Sequence, residues 1–358
     1  MVKNLNNLKE TLNISDNYNK ALITYLSILI DRTIARSTTF GVWHVLQETV
    51  EHPFGRQAIP MIFDYPEMNI LSSLSGAVEG QLSFILKYIE EENSVFSSIC
   101  KNASSGERSQ FNNKEMTAVI TDPPYYDAIA YADISDFFYV WLKRTLTDIF
   151  PENFNTPNTP KSDECTALKH HHDGNKEKAV KHFESKLTQI FDAIEHQTSD
   201  IVSIMFAHQS TEAWTTLCNS ILGARMNITG SWAVDTEITG ALKTDKAFLS
   251  SSVTVSCVPS QSEGYGDYKE VKKAIETTVL REVDELYKLG FRGADLLTAC
   301  FGQAVSEFGK YKKVEMADGS EVTVAELLEM ARESAFNAYL KVLMEMSLLT
   351  CISAGSWN

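Results

Sequence analysis

The sequence predicts an α/β fold: a mostly parallel sheet whose last two strands are antiparallel, followed by a region of helices. Three observations lead there. Between residues 116 and 262 the short apolar runs TAVITD, DIVSIMFAH, NITGSWAVDTE and SSSVTVSCVP alternate with segments of helical spacing. The runs are apolar throughout, the pattern of parallel strands covered on both faces. The last two have no helix between them and are expected to pair antiparallel, while after Pro259 only helical patterns follow.

Taken in order, the first element is a helix over residues 17–36. Its Ala21, Leu22, Ile23, Tyr25, Leu26, Ile28, Leu29 and Ile30 cover most of the circumference, which predicts burial. HPFGRQAIPMIFDYPEMN follows with three prolines and is expected to be extended or turning. LSGAVEGQLSFILKYIEEEN predicts a helix, SVFSSIC a short strand and TAVITD a second one. Helices are predicted over ADISDFFYVWLKRTLTDIF, KEKAVKHFESKLTQIFDAIEHQ and TEAWTTLCNSILGA. Three more are predicted over 268–289, 294–308 and 324–348, with ADGS at 317–320 as the turn before the last. Residues 151–175 mix Pro, Asn, Thr and charge over more length than an ordinary connection and are expected to form a mobile insertion loop. The resulting division is 1–115, helical and extended; 116–262, the α/β core; and 263–358, the helical region.

Composition sets limits on function. With 44% hydrophobic and 22% charged residues in 358, the chain has material for a packed core. A formal net charge of −15 repels a polyanion on average, so contact with nucleic acid requires a local basic patch. Lys161, Lys169, Lys176, Lys178 and Lys181 are the candidates for one. Six cysteines without a CxxC pair indicate neither a disulfide framework nor a zinc ribbon, and a reducing cytoplasm is expected. No apolar stretch is long enough to span a bilayer, so no membrane is expected as a partner. His170, His171, His172 and Asp173, near Cys165 and His182, resemble a metal cluster on paper. Adjacent histidines diverge, however, and no metal site is expected there.

The stretch VITDPPYYDAIAYADISDFFYVW carries the clearest chemistry. In an open parallel sheet, ligands bind outside the carboxyl ends of the strands, and Asp122, Pro123, Pro124 and Tyr125 stand where TAVIT would end. Two prolines fix the backbone and remove two N–H donors, leaving carbonyls to accept. A carboxylate beside a carbonyl presents two acceptors to an amino group with two hydrogens, and an aromatic ring beside them stacks on a flat base. Read structurally, the same residues make a turn with a capping acid and buried rings. His208 ends DIVSIMFAH on the same edge, either in the site or capping the next helix. Phe137, Phe138, Tyr139 and Trp141 recur at helical spacing and are read as core.

DPPY resembles the motif-IV tetrapeptide of DNA amino-methyltransferases. The longer run TDPPYYDAIAYADISDFFYVWLKR resembles one family in particular, the large adenine-specific DNA methylases with an N-terminal domain of unknown function. FGRQAIPMIFDYPEMN, FAHQSTEAWTTL, SWAVDTE, SSSVTVSC and FRGADLLTACFGQAVSEFGKY are similar to the same family, so the likeness runs from about residue 17 to 340. The resemblance implies a Rossmann-like methyltransferase sheet. It also implies methyl transfer from S-adenosyl-L-methionine to the exocyclic amino group of adenine in DNA, in restriction-modification or phage defence. Asp122 would take the amino hydrogens, Pro123 would offer its carbonyl and Tyr125 would stack on the extruded base. Tyr126 and Asp127 would stand at the pocket rim. Arg56, Asp64, Glu67 and Asn69 fall in a family signature without an assigned role.

The sequence departs from the family at the donor site. The FxGxG turn that cradles the methionine part is missing, and CFGQAVSEFG at 300–309 reads as helix. Where an acid is expected after SVFSSIC stand Lys101, Asn102 and Ala103, with Asn102 the weak candidate for a donor contact. The sheet is therefore expected to be incomplete and the chain to be the later part of a longer or split enzyme. Its partners would be DNA and a second chain supplying the glycine-rich segment, or a second copy of itself. The alternatives are a non-catalytic subunit or remnant that binds DNA or a partner chain, and a methyltransferase acting on RNA or a protein amide.

Overall fold

The computed structural model describes residues 14–46, 48–50, 53–54, 59, 61–73, 76–93, 96–206, 208, 210–235, 251–259 and 264–355. The elements in chain order begin with α1 (Asp16–Ile34), β1 (Trp43–His44), β2 (Thr49–Val50) and α2 (Val78–Glu91). Then come β3 (Met116–Thr121), α3 (Tyr131–Leu146), α4 (Lys176–Gln197), β4 (Thr198–Phe206), α5 (Thr211–Gly223), β5 (Met226–Asp235) and β6 (Ser251–Pro259). The last are β7 (Tyr265–Asp267), α6 (Tyr268–Lys288), α7 (Gly293–Phe308), β8 (Lys313–Glu315) and α8 (Val324–Gly355). The protein is a mixed α/β protein in two compact units. One draws on Met1–Cys100 and Ile129–Glu164, the other on Lys101–Ala128 and Cys165–Asn358. The division falls elsewhere than the expected boundaries at 115 and 262: α3 leaves the α/β core, and the C-terminal helices share a unit with the sheet.

The larger unit is built on a four-stranded sheet of order β3-β4-β6-β5. β3 runs parallel to β4, with Val119 opposite Val202 and Thr121 opposite Ile204. β6 is antiparallel to both β4 and β5, so three strands point one way and β6 alone opposes them. Val202, Ile204 and Phe206 of β4 stand opposite Cys257, Val255 and Val253 of β6, and all six are buried on one face. Beneath that face α4 places Ala179, Phe183, Leu187 and Phe191 at intervals of four residues, each with no exposed surface. Burying each of the larger ones stabilises the fold by roughly 1.5–3 kcal/mol. Trp214, Leu217 and Ile221 of α5 complete this core. The helix starts are capped: Asn175 accepts from the Lys178 N–H, Ser210 from Ala213, and Asp267 from Lys269 and Glu270.

The opposite face corrects the expectation of a sheet covered on both sides. Ile120 is 86% exposed and Trp232 59%, with Ile201 and Val234 exposed beside them in sequence register. β3 is an edge strand among the described strands. SVFSSIC is the second correction: residues 96–100 form no strand, because an extended segment becomes one only where a neighbour takes its hydrogen bonds. Third, the C-terminal region is not purely helical, since β7 and β8 pair in parallel. Gly266 of β7 lies under Tyr311, whose Cδ2 would be 2.8 Å from an added Cβ. Gly302 of CFGQAVSEFG is a residue of helix α7, as expected, and a Cβ there would collide with Ser231 of β5 at 2.2 Å.

Residues 151–175 also depart from expectation, for they hold defined structure rather than a loose loop. Two 3-10 turns, Pro151–Phe154 and Lys169–His172, bracket the segment, and Phe154, Cys165, Thr166 and Ala167 are buried. Specific bonds fix it: the Thr159 N–H and hydroxyl donate to Asp136, and Lys161 Nζ donates to the same carboxylate at 2.6 Å. Those bonds lie in the smaller unit, where α1 packs against α2 and α3 and Ile23, Leu146 and Phe154 form the core. Phe137 and Phe138 are half-buried rather than core, meeting Phe54 edge-on at 5.3 and 5.8 Å. Trp141 lies under Arg144, 5.3 Å from ring to guanidinium. No helix among the described residues is long and apolar enough to cross a membrane.

Candidate functional site

β3 and β4 are parallel, so the segments leaving Thr121 and Phe206 emerge on one edge of the sheet. Asp122 is the first residue past β3. It is exposed, and neither a hydrogen bond nor an ion pair engages its carboxylate among the described residues. Pro123 is buried behind it. The chain then folds back on itself, with the Tyr126 N–H donating to the Pro124 carbonyl at 2.9 Å and the Ala128 N–H to the Tyr125 carbonyl at 3.0 Å. Pro124's oxygen is thereby occupied, whereas no described backbone donor meets Pro123's. Tyr125 is half-buried and meets Phe206 edge-on at 6.1 Å, which ties its ring to the end of β4.

Tyr126 departs from the expected rim position. It is 3% exposed, and its backbone is left-handed at φ 57°, a conformation that costs a bulky residue on the order of 1 kcal/mol or more. Several contacts hold it there. Its hydroxyl donates to Glu212 Oε1 at 3.1 Å, its ring meets Phe183 at 5.2 Å and His208 at 5.6 Å, and its carbonyl accepts from the Ala167 N–H at 2.9 Å. Burial, then the neighbouring Glu212 carboxylate, raises the phenol above its ordinary range. Glu212 itself is held below the usual carboxylate range, first by the hydrogen bond from Lys176 at 3.0 Å and further by that from Tyr126, against the opposing effect of burial.

His208 supports the entry to the next helix without capping it, the cap itself being Ser210. Its Nδ1 accepts from the Ser210 N–H at 3.0 Å, supporting the turn into α5, while its Nε2 faces Asp127 Oδ1 at 3.4 Å. With Nδ1 engaged as acceptor, Nε2 is the ring nitrogen left facing Asp127. Trp214 Nε1 donates to the His208 carbonyl at 2.9 Å, so the segment is anchored on two sides.

Sequence reasoning missed Glu212, Ser210 and the role of Lys176. The available signal was Glu212's place in the first turn of the helix that follows His208, inside FAHQSTEAWTTL. The lysine patch is correspondingly weaker than expected. Lys176 is paired with Glu212, Lys178 with Asp173 at 3.9 Å, and Lys161 belongs to the smaller unit with Asp136.

Among the described residues, the features that the resemblance implies for holding S-adenosylmethionine are not found. No described strand leads through a glycine-rich turn into a helix; the pair Gly264 and Gly266 precedes α6, but Gly266 is required by its packing on Tyr311. Asn102 lies in an exposed loop ahead of β3, not at a strand end. Asp64 and Glu67 are exposed, Asn69 closes a local turn by accepting from the Leu71 N–H, and Arg56 lies outside the described residues. The histidines form two ring pairs, His170 with His171 at 4.3 Å and His172 with His182 at 4.7 Å. Burial pushes the thiols of Cys257 and Cys300 up to about 12, so neither is a nucleophile at neutral pH. No protein-family model matches the sequence, and no curated protein matches it.

Proposed function

We propose that this chain is the amine-recognising part of a Rossmann-like methyltransferase that methylates the exocyclic amino group of adenine in DNA, with S-adenosyl-L-methionine as donor. The observation that carries the reading is Asp122, an exposed carboxylate unpaired among the described residues, at the carboxyl end of a parallel strand and heading a proline-stiffened turn beside Tyr125. Asp122 accepts one amino hydrogen and the Pro123 carbonyl the other, which leaves the nitrogen lone pair directed away from both acceptors, toward the side from which a methyl donor approaches. Tyr125 stacks on the base, which must first leave the duplex at a cost of a few kcal/mol. The donor, when bound, supplies an electrophilic methyl group.

Polypeptide beyond the described residues, on this chain or a second one, holds the donor and brings basic surface to the DNA. Support for this lies in β3 being an edge strand among the described strands and in the exposure of Ile120 on it. The reading places the protein in the reducing cytoplasm. A second reading is a non-catalytic subunit, and the lack of fit to the donor among the described residues favours it. Nucleoside mass spectrometry on DNA exposed to the intact assembly decides between them. N6-methyladenine that vanishes when this chain is deleted is the expected result; methylation that persists, or is never formed, overturns the enzyme reading.

A further inference from the structure

We propose that Glu212 is a positioning residue for the Asp122–Tyr125 turn, acting through Tyr126 and resting on the reading of that turn as an amine pocket. Tyr126 immediately follows the stacking tyrosine and adopts a left-handed backbone that no glycine makes easy. Its neighbours' directions depend on that conformation being held. The buried ring alone fixes where the side chain lies, but the hydroxyl's bond to Glu212 fixes how far it reaches, at 3.1 Å. Glu212 in turn is engaged at both oxygens: Oε1 accepts from Tyr126 and Oε2 from the exposed Lys176 at 3.0 Å. Because Glu212 sits in the first turn of α5 and Lys176 at the start of α4, two helices packed under the sheet are tied to one residue of the turn. The backbone carries the constraint onward, through Tyr126 N–H to the Pro124 carbonyl and through the Tyr126 carbonyl to Ala167 N–H.

The test compares Tyr126→Phe, which removes only the hydroxyl, with Glu212→Ala and with Glu212→Gln, which keeps an accepting oxygen. Hydrogen exchange on the full chain reads the turn directly. The amides of Tyr126, Ala128 and Ala167 should exchange roughly tenfold faster in Tyr126→Phe and Glu212→Ala, while those of β4 stay unchanged and Glu212→Gln stays near the parent. In the methylating assembly, the same two variants should lower kcat by roughly 10- to 100-fold with KM for DNA little changed, since a small misplacement of a reacting group carries that cost, and Glu212→Gln should restore it. Unchanged exchange at these amides overturns the proposal. So does an unaltered kcat in Glu212→Ala where Asp122→Ala is inactive. Should Asp122→Ala itself methylate normally, the amine-pocket reading fails instead, and the exchange rates still decide whether Glu212 holds the turn.

Discussion

His208 Nε2 lies 3.4 Å from Asp127 Oδ1, joining the segment that leaves β4 to the segment that leaves β3. The two partners are unequal. Asp127 is half-exposed, and its loss should cost less than about 1 kcal/mol, the usual worth of such a pair in water. His208→Ala should cost about 1–3 kcal/mol, because it also strips the Ser210 N–H of its acceptor. Urea unfolding of the two variants measures the difference, and equal losses would show that the bond from Ser210 contributes nothing.

Phe206 joins the site to the core, since its fully buried ring meets Tyr125 at 6.1 Å and Trp214 at 5.2 Å, both edge-on. Phe206→Ala should therefore destabilise the larger unit by about 3–5 kcal/mol. Denaturant titration measures it, and a loss under 1 kcal/mol would mean that the site and the core are mechanically separate.

Asp31 on α1 has a buried Oδ1 without a partner among the described residues, and burial pushes its carboxyl up from 3.8 to about 7. A folded-state value above the unfolded one means that the proton is bound more tightly in the fold. The stabilisation is complete below the unfolded value of 3.8 and is lost as pH rises through about 7. Asp31→Asn should remove this slope and raise the melting temperature of the smaller unit above pH 7, while changing little near pH 4. A parallel pH profile in parent and variant contradicts the assignment.

Ile120 is exposed on the open face of the edge strand β3, so Ile120→Lys should leave the chain's own melting temperature nearly unchanged. It should nonetheless abolish association, whether with a second copy or a partner chain, when complexes are sized by light scattering. Association that survives this charge locates the interface elsewhere.

What the sequence revealed was periodic. Ala179, Phe183, Leu187 and Phe191 announce the buried face of α4 because packing and helical pitch coincide there. Asp122 was legible for the same kind of reason, since an acid stopping an apolar run marks the end of a strand. Tyr126 was not, because nothing local predicts a left-handed tyrosine; the contacts that hold it come from Ala167, Phe183, His208 and Glu212, far along the chain. The order of residues 151–175 was hidden similarly, in Asp136 and Tyr126, which anchor a segment whose composition alone suggests a loop. SVFSSIC failed in the opposite direction, having the apolar character of a strand while its described residues 96–100 pair with no described strand.

The most direct measurement is methyl transfer to DNA from labelled S-adenosylmethionine by the intact assembly, comparing the parent chain with Asp122→Ala. The account predicts that incorporation falls to background while the variant's melting temperature stays near the parent's, because Asp122 is exposed and its carboxylate is bonded to nothing among the described residues. Incorporation at the parent rate would contradict it, leaving the DPPY turn a structural corner of the sheet edge.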